Sequence, residues 1–223
     1  MSVARSTAEA WNEEYRHGRY TDEPPVGFVD DILRAVSREN ISTGLYIGCG
    51  NGRNLLPLLD GGLDLLGLDV SDEAIRQLAH ARPDRASHLV HGDLEALPPG
   101  RRWPLVVGIQ VFQHGDRRET HEHVRMAQER VEAGGLLCVR VNAVGTDVWP
   151  AHEIVERNPD EGFSVRYTAG PKNGLTIHFF SRAELDTLFK GWMPVLALRV
   201  HRTERVPPGI GQWAQWEAIW RRP

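Results

Sequence analysis

The sequence of 223 residues predicts a parallel α/β sheet covered by helices on both faces. Two observations carry this prediction. Short apolar runs alternate with segments of helical periodicity over roughly 100 residues, which is typical of strand–helix–strand units. A glycine-rich loop directly follows the first apolar run and precedes a helix, which is where such sheets bind ligands.

Helices are predicted where apolar residues recur at helical spacing behind a capping residue. Ser6 and Glu9 have the spacing of a capping box, and Ser181 with Glu184 repeats it near the other end of the chain. Gly134-Gly135 is expected to end the helix before it. The predicted helices cover residues 6–17, 29–39, 55–59, 72–81, 117–133 and 181–190.

Strands are predicted from short, continuously apolar runs, because strands of a parallel sheet are buried on both faces. The predicted strands cover residues 45–47, 63–70, 87–91, 105–111, 136–141, 195–205 and 213–221. The short connection through Pro207-Pro208-Gly209 indicates that the last two pair as an antiparallel hairpin. The region 142–178 shows no regular pattern, so it is either functional or contains elements that periodicity does not detect.

Composition excludes several classes of protein. Hydrophobic residues make up 41% and charged residues 25%, which fits a globular chain rather than a disordered one. A net charge of −4 argues against general binding to a phosphate backbone. Two cysteines, Cys49 and Cys138, are too few for a disulfide framework and fit a reducing cytoplasm. No apolar run approaches the roughly 18 residues of a membrane span, and residues 1–11 lack the layout of a secretory signal.

The strongest chemical signal is the loop Tyr46–Asn54, with the sequence Y-I-G-C-G-N-G-R-N. Gly48 and Gly50 allow the backbone to approach a ligand and to point free N–H groups at it. The spacing differs from the dinucleotide fingerprint G-x-G-x-x-G, because Arg53 stands where a third, small residue is needed for close helix–strand packing. This difference argues against a nicotinamide cofactor. The alternative interpretation is a tight turn without a ligand.

Acidic residues follow the next two predicted strands. Asp69 lies 19 residues beyond Gly50, where a carboxylate can accept hydrogen bonds from ribose hydroxyls. Asp93 follows the third strand, where a carboxylate can accept a bond from the exocyclic amine of adenine. Three successive strand ends therefore present a glycine loop and two acids along one crevice. The alternatives are a helix-capping acid at Asp69 and a turn residue at Asp93.

With these motifs the chain resembles the class I S-adenosylmethionine-dependent methyltransferases, of the small, tellurite-resistance-like type. The resemblance implies a Rossmann-like sheet of seven strands in which only the last strand runs antiparallel. It also implies one domain over residues 1–223, with an N-terminal helical cap at about 5–40 and an acceptor-side insertion at about 142–178. Trp103-Pro104 departs from the family, since many relatives carry an aromatic residue and an Asp there. The matching stretches are 45–54, 66–71, 91–94, 106–114 and 131–141.

The resemblance implies S-adenosyl-L-methionine as cofactor, and methyl transfer by in-line displacement to a small-molecule acceptor. The expected partners include no nucleic acid and no membrane, no metal is expected, and the chain is a monomer or homodimer. The alternatives are an S-adenosylmethionine-binding enzyme of other chemistry, such as a decarboxylative or carboxyl-bearing variant, and a non-catalytic ligand-binding module. The expected cofactor-binding residues are Tyr15, Gly48, Gly50, Arg53, Asp69, Val70, Asp93, Leu94 and Gln110. The expected acceptor-binding residues are Tyr20, Arg140, Trp149, Arg166 and Tyr167.

His114 is the candidate catalytic residue. It follows the fourth predicted strand on the acceptor side, and a histidine there could remove a proton from an acceptor. The alternative is a packing or helix-start histidine. In resembling proteins the N-terminal helix folds over the cofactor, so Trp11, Tyr15 and Tyr20 could contact the sulfonium through cation–π attraction. His121 and His123 are two apart on a helix and do not share a face, which predicts a solvated polar surface rather than a metal site.

Overall fold

A seven-stranded sheet forms the centre of the computed structural model, which describes residues 6–223. Its strand order is β3-β2-β1-β4-β5-β10-β9. The first five strands run parallel, and β10 is antiparallel to both of its neighbours, so only the last strand runs in the opposite direction. The predicted Rossmann-like sheet is confirmed. The strands are β1 Thr43–Ile47, β2 Asp64–Asp69, β3 Leu89–His91, β4 Trp103–Ile109, β5 Val131–Asn142, β6 His152–Arg157, β7 Phe163–Tyr167, β8 Thr176–Phe179, β9 Met193–Glu204 and β10 Gln212–Arg221.

The helices begin at the capping residues that the sequence indicates. Ser6 Oγ accepts a hydrogen bond from the backbone N–H of Glu9 at 3.2 Å, and Ser181 caps the last helix in the same way. Ser71 Oγ accepts from the N–H of Ala74 at 3.1 Å. The helices are α1 Thr7–Arg16, α2 Phe28–Glu39, α3 Leu55–Asp60, α4 Asp72–Ala81, α5 Arg117–Glu129 and α6 Arg182–Leu188.

Side chains of the central strands alternate between two apolar cores. Leu45 and Ile47 of β1 pack on one face with Val124 of α5 and Leu185 of α6. Tyr46 packs on the other face, where α2, α3 and α4 supply the apolar surface. Because both faces are covered, the strands show the continuous apolar runs from which they were predicted.

The junction between α5 and β5 differs from the prediction. The helix ends at Glu129 instead of Ala133, and β5 already begins at Val131. Val131 pairs with Trp103, and the register then shifts so that Leu136 faces Leu105. Gly134, with φ of +77°, therefore lies in an irregular part of the strand and does not end a helix. Pairing with β4 overrides the helical pattern of these residues.

The insertion at 142–178 contains a second, antiparallel sheet of order β6-β7-β8, so the region does contain elements that periodicity does not detect. β8 also bonds to the chain that leaves β4. The N–H of Gly115 donates to the carbonyl of Thr176, and the N–H of His178 donates to that of Gln113, both at 2.9 Å. The small sheet thus holds residues 113–115 at the carboxyl edge of the large sheet.

None of the helices within residues 6–223 has the length and apolar character needed to cross a membrane. Cys49 and Cys138 are buried and do not form a disulfide.

Candidate cofactor and acceptor site

A cavity of 720 Å³ lies at the carboxyl ends of β1, β2 and β4. The glycine loop and the two acids form one end, α1 covers it, and the insertion with β10 forms the other end. The structure brings most of the predicted site residues together in this cavity, and only Arg140 and Arg166 do not line it. Those that line it are Tyr15, Tyr20, Gly48, Gly50, Arg53, Asp69, Val70, Asp93, Leu94, Gln110, His114, Trp149 and Tyr167.

The glycine loop needs its glycines for two separate reasons. Gly48 and Gly50 have φ of +70° and +55°, a backbone conformation that side chains disfavour. A Cβ at Gly48 would lie 2.6 Å from the Val111 side chain, and one at Gly50 would overlap the Tyr15 hydroxyl. The loop backbone therefore forms a bare wall of the cavity, beneath the ring of Tyr15.

Asp69 is held rigidly at the edge of the cavity. Its Oδ2 accepts from the N–H of Gly50 at 2.7 Å, and its Oδ1 accepts from the N–H of Ser71 at 2.8 Å. Burial raises the pKa of this carboxyl group, while the hydrogen bonds from Ser71 and Gly50 oppose that rise. Each carboxylate oxygen keeps a further acceptor position. Since Ser71 caps α4, Asp69 does not act as the helix cap. Its two remaining acceptor positions suit a pair of ribose hydroxyls.

Asp93 has a looser environment. Its side chain is exposed, and Oδ1 accepts from the N–H of Glu95 at 2.8 Å. One carboxylate oxygen of Asp93 thus stabilises the turn, and the residue also lines the cavity beside Leu94. Its contact with a cofactor stays a prediction.

Helix α1 lies across the cavity and is tied to α4. Ser71 Oγ donates to Asn12 Oδ1 at 2.6 Å, and Gln77 Nε2 donates to the carbonyl of Tyr15 at 2.9 Å. On the inner side, the Trp11 ring centroid lies 6.1 Å from that of Tyr15 and 6.0 Å from that of Tyr20. These aromatic rings form a roof that limits access of water to the space beneath.

Arg53, the residue that breaks the dinucleotide fingerprint, joins three parts of the wall. It forms an ion pair with Glu23, and its Nη2 donates to Gln110 Oε1 at 3.2 Å. Its guanidinium carbon lies 5.6 Å from the centroid of the Tyr20 ring. Gln110 has φ of +59° at the end of β4, a conformation that is rare for residues other than glycine and that is concentrated at functional sites.

His114 faces the acceptor end of the cavity. Its ring meets Trp11 edge to face, with centroids 5.4 Å apart, and its Nδ1 is buried without a hydrogen-bond partner. The pKa of His114 is lowered to about 3, mainly by burial and in addition by the neighbouring Lys172 and His123 side chains. The imidazole is therefore neutral at physiological pH and can accept a hydrogen bond from a bound group.

Two residues expected to bind the acceptor lie elsewhere, which corrects the sequence interpretation. Arg140 is buried on β5, where its Nε lies 3.3 Å from Glu217 Oε1 of β10. Arg166 is exposed on β7, because it alternates with Tyr167, whose side chain faces the cavity. Trp213 of β10 also lines the cavity, although no sequence motif marks it as a site residue. Its odd spacing from Trp216 and Trp220 places it on the opposite face of the strand.

Behind the cavity, a buried polar network surrounds Glu184. Its Oε1 accepts from Arg117 Nε at 2.8 Å and contacts the Nε2 atoms of His121 and His178, each at 3.1 Å. Although burial alone would raise it, the pKa of Glu184 is lowered by the bonds from both histidines. The two histidines and Glu184 are close enough to share a cation, but the Arg117 guanidinium already occupies the same oxygen. The prediction that His121 lies on a solvated polar surface is wrong, since its side chain is buried, like that of Val124.

Comparisons with known proteins fit this geometry. A family model described as a methyltransferase domain matches residues 45–137. This stretch of the chain is a methyltransferase domain. The fold of TehB from Haemophilus influenzae covers 95% of this chain and 67% of its own, with a TM-score of 0.65 and 20% identity. A Burkholderia thailandensis 1,6-didemethyltoxoflavin-N1-methyltransferase, crystallised with S-adenosylhomocysteine, covers all of this chain and 92% of its own, with a TM-score of 0.67 and 15% identity.

The methyltransferase class, its tellurite-resistance-like relatives and S-adenosylmethionine as cofactor are thereby confirmed as predicted. One expectation is contradicted. A curated relative, the tRNA U34 carboxymethyltransferase of Aliivibrio salmonicida, is 32% identical over 125 residues, which are 53% of this methyltransferase chain. The chain spans 37% of that relative's length. This relative points to a nucleic-acid substrate, so the prediction of a small molecule with no nucleic-acid partner is wrong.

Proposed function

We propose that this methyltransferase transfers a methyl group, by in-line displacement, to an acceptor group that enters the aromatic end of the cavity. The observation that carries the proposal is the Asp69 carboxylate, fixed by two backbone N–H groups and still able to accept two hydrogen bonds beside the bare glycine loop. S-adenosylmethionine, when bound, supplies a methyl group on a cationic sulfur.

The residues of the cavity would then act mainly by positioning. Gly48 and Gly50 present backbone N–H groups, while Asp69 orients the ribose. The rings of Tyr15 and Tyr20 exclude water and offer their faces to a positive charge. Holding two reacting groups in line contributes up to roughly 7–11 kcal/mol to a barrier reduction. A cytoplasmic location stays a prediction, supported by the two unpaired, buried cysteines.

Calorimetry tests the cofactor half directly. We expect S-adenosylhomocysteine to bind at about one per chain, as the single glycine loop with its two acids implies. A folded protein that gives no heat with either S-adenosylhomocysteine or S-adenosylmethionine would contradict the proposal. Transfer is then followed with radiolabelled cofactor on bulk tRNA lacking wobble-uridine modification, with a rate comparison against the same tRNA digested to nucleosides.

Replacing His114 with Ala is expected to lower kcat by about 10²–10⁴-fold, the range for loss of a group that takes up a proton. The affinity for S-adenosylhomocysteine should change little, because His114 lies at the other end of the cavity. Since the pKa of His114 is about 3, the wild-type rate should show no inflection from this residue between pH 5 and 8. A fall in kcat of less than tenfold would indicate that the ring only packs against Trp11. In that case the His114→Ala and His114→Phe variants should lose thermal stability to the same extent.

Carboxymethyl transfer is a second candidate, because the curated relative is named for that reaction. The basic residues Arg19, Arg53 and Lys172 line the cavity and favour a negatively charged group inside it. Incubating tRNA with either S-adenosylmethionine or its carboxylated form, and measuring the mass of the modified nucleoside, separates the two reactions. A methyl product from S-adenosylmethionine supports the first proposal, and a carboxymethyl product only from the carboxylated cofactor supports the second.

A further inference from the structure

Lys172 places an ammonium group in the cavity without an acidic partner. It lies in the turn between β7 and β8, and its Nζ is 5.7 Å from the centroid of the Tyr167 ring and 5.8 Å from that of Trp213. Within residues 6–223, no hydrogen bond or ion pair to this nitrogen is formed. Only two of the 26 basic residues of the chain are lysines, and the other, Lys190, is exposed on the surface.

Lys172 is half-buried, and an ammonium that loses part of its hydration without gaining a charged partner is costly to hold. The pKa of Lys172 is lowered to about 8, mainly by burial and in addition by the charges of Arg19 and Arg205. The acid that opposes this effect is Glu14, whose Oε2 lies 2.5 Å from Arg19 Nε. The two aromatic faces offset part of the cost through cation–π attraction. An anion in the cavity would offset the rest.

A second cation lines the same end of the cavity. Arg205 follows β9, and its Nη1 donates to the carbonyls of Ile210 and Gln212 at 3.0 and 3.1 Å. It forms no ion pair with a carboxylate of the described residues. Asp147 is the nearby acid, and it accepts from the N–H of Gln212 at 2.9 Å. The acceptor end therefore carries a surplus of positive charge, in a chain whose net charge is −4.

The rest of the acceptor end of the cavity is lined by planar aromatic side chains. The cavity is lined there by the rings of Trp11, Trp149, Tyr167 and Trp213, together with the neutral imidazole of His114. Aromatic faces stack on planar rings, and nucleic-acid bases use such platforms at about 1–3 kcal/mol each. The positive charge stands directly beside these surfaces.

We propose that the space between Tyr167 and Trp213 is a subsite for an anionic group, a carboxylate or a phosphate, on a planar acceptor, and that Lys172 is its ligand. This inference rests on the proposed methyl transfer only where it identifies the bound molecule as the acceptor, since the anion would bind whether or not transfer follows. It adds a substrate class to the site: a planar ring that carries a negative charge next to the group that is modified.

Two matched pairs of probes test the subsite on the full chain saturated with S-adenosylhomocysteine. Uridine 5′-monophosphate and uridine differ in a phosphate, and benzoate and benzamide differ in a carboxylate. Calorimetry should show the charged member of a pair binding about 10–100-fold more tightly, as expected for hydrogen bonds to a charged group. In Lys172→Met this preference should disappear, and in Lys172→Arg part of it should remain.

Lys190→Met is the matched control, because it removes the other lysine from an exposed position. It should keep the preference, and all three variants should bind S-adenosylhomocysteine like the wild type. Thermal stability of Lys172→Met should equal or exceed that of the wild type, since a poorly solvated charge is removed. The pH profile gives a further readout. As Lys172 loses its proton above its pKa of about 8, binding of the anions should weaken while binding of the neutral probes stays constant.

Three results would overturn the inference. One is a wild type that binds charged and neutral probes equally, or neither anion at millimolar concentration. Another is a Lys172→Met variant that keeps the preference. The third is a Lys172→Met variant that binds the four probes like the wild type and loses affinity only for carboxylated S-adenosylmethionine. That result would assign Lys172 to the cofactor instead of the acceptor. If S-adenosylhomocysteine itself does not bind, the proposed function fails, and the same probes still test the subsite on the unliganded protein.

Discussion

Replacing Glu184 with Ala is expected to lower the free energy of unfolding by about 3–5 kcal/mol, the loss typical of removing one partner from a buried charged network. Oε1 of this carboxylate contacts Arg117, His121 and His178, and its Oε2 accepts from the N–H of Ser181. Without it, four groups lose this partner: two side chains of α5, one side chain of β8 and the N–H of the residue that caps α6. Urea unfolding followed by circular dichroism measures the change.

Asp186→Ala is the control for this prediction. Asp186 lies on the same helix, but its side chain is exposed and its partner Arg182 lies 3.4 Å away, so its loss should change the stability by less than about 1 kcal/mol. Equal effects of the two substitutions would show that the network around Glu184 does not stabilise the fold.

The same carboxylate predicts a pH dependence. The pKa of Glu184 in the folded protein lies below its ordinary value of 4.5, so its contribution to stability is complete above that value. It is lost as the pH falls below 4.5 towards the folded-state pKa. The stability of Glu184→Gln should therefore decline less steeply than that of the wild type in this acidic range. Parallel curves for the two proteins would contradict the assignment.

Replacing Asp69 with Ala is expected to weaken binding of S-adenosylhomocysteine by about 1.5–3 kcal/mol, roughly 10–150-fold, the value for losing hydrogen bonds to a charged group. The substitution also frees the N–H groups of Gly50 and Ser71, which the carboxylate orders. Calorimetry measures the affinity, and a thermal melt confirms that the variant is folded.

Asp93→Ala provides a comparison within the same crevice. Its exposed carboxylate is bonded to Glu95, so its loss should weaken binding less than the loss of Asp69. An Asp69→Ala variant with wild-type affinity would mean that this carboxylate only shapes the loop, and that the ribose is held elsewhere.

The parts of the fold that the sequence predicted correctly depend on local signals. Ser6, Ser71 and Ser181 cap helices through neighbours three residues away, and Gly48 and Gly50 mark a turn that only glycine forms readily. The end of α5 and the strands β6–β8 were missed because pairing with distant residues decides them. Val131 becomes a strand through Trp103, and Thr176 through the backbone of Gly115.

The site divides in the same way. Its cofactor end follows from motifs at consecutive strand ends, which the chain itself places side by side. Its acceptor end is assembled from α1, the β7–β8 turn and β10, and no motif links Lys172 to Trp213 in sequence. The argument from net charge failed for a related reason. A value of −4 is a sum over the whole surface, whereas a binding site responds to the field of the few groups that surround it.

The two ends of the cavity have different origins along the chain, and this has a consequence for how the enzyme can diversify. The family model stops at residue 137, whereas Trp149, Lys172 and Trp213 all come after it. The β6–β8 sheet joins the core through backbone bonds to residues 113–115 and through the His178 side chain, which contacts Glu184. Neither connection involves the β7–β8 turn that carries Lys172. This turn can therefore be exchanged without redesigning the cofactor end, which makes it the natural place to graft a new substrate preference.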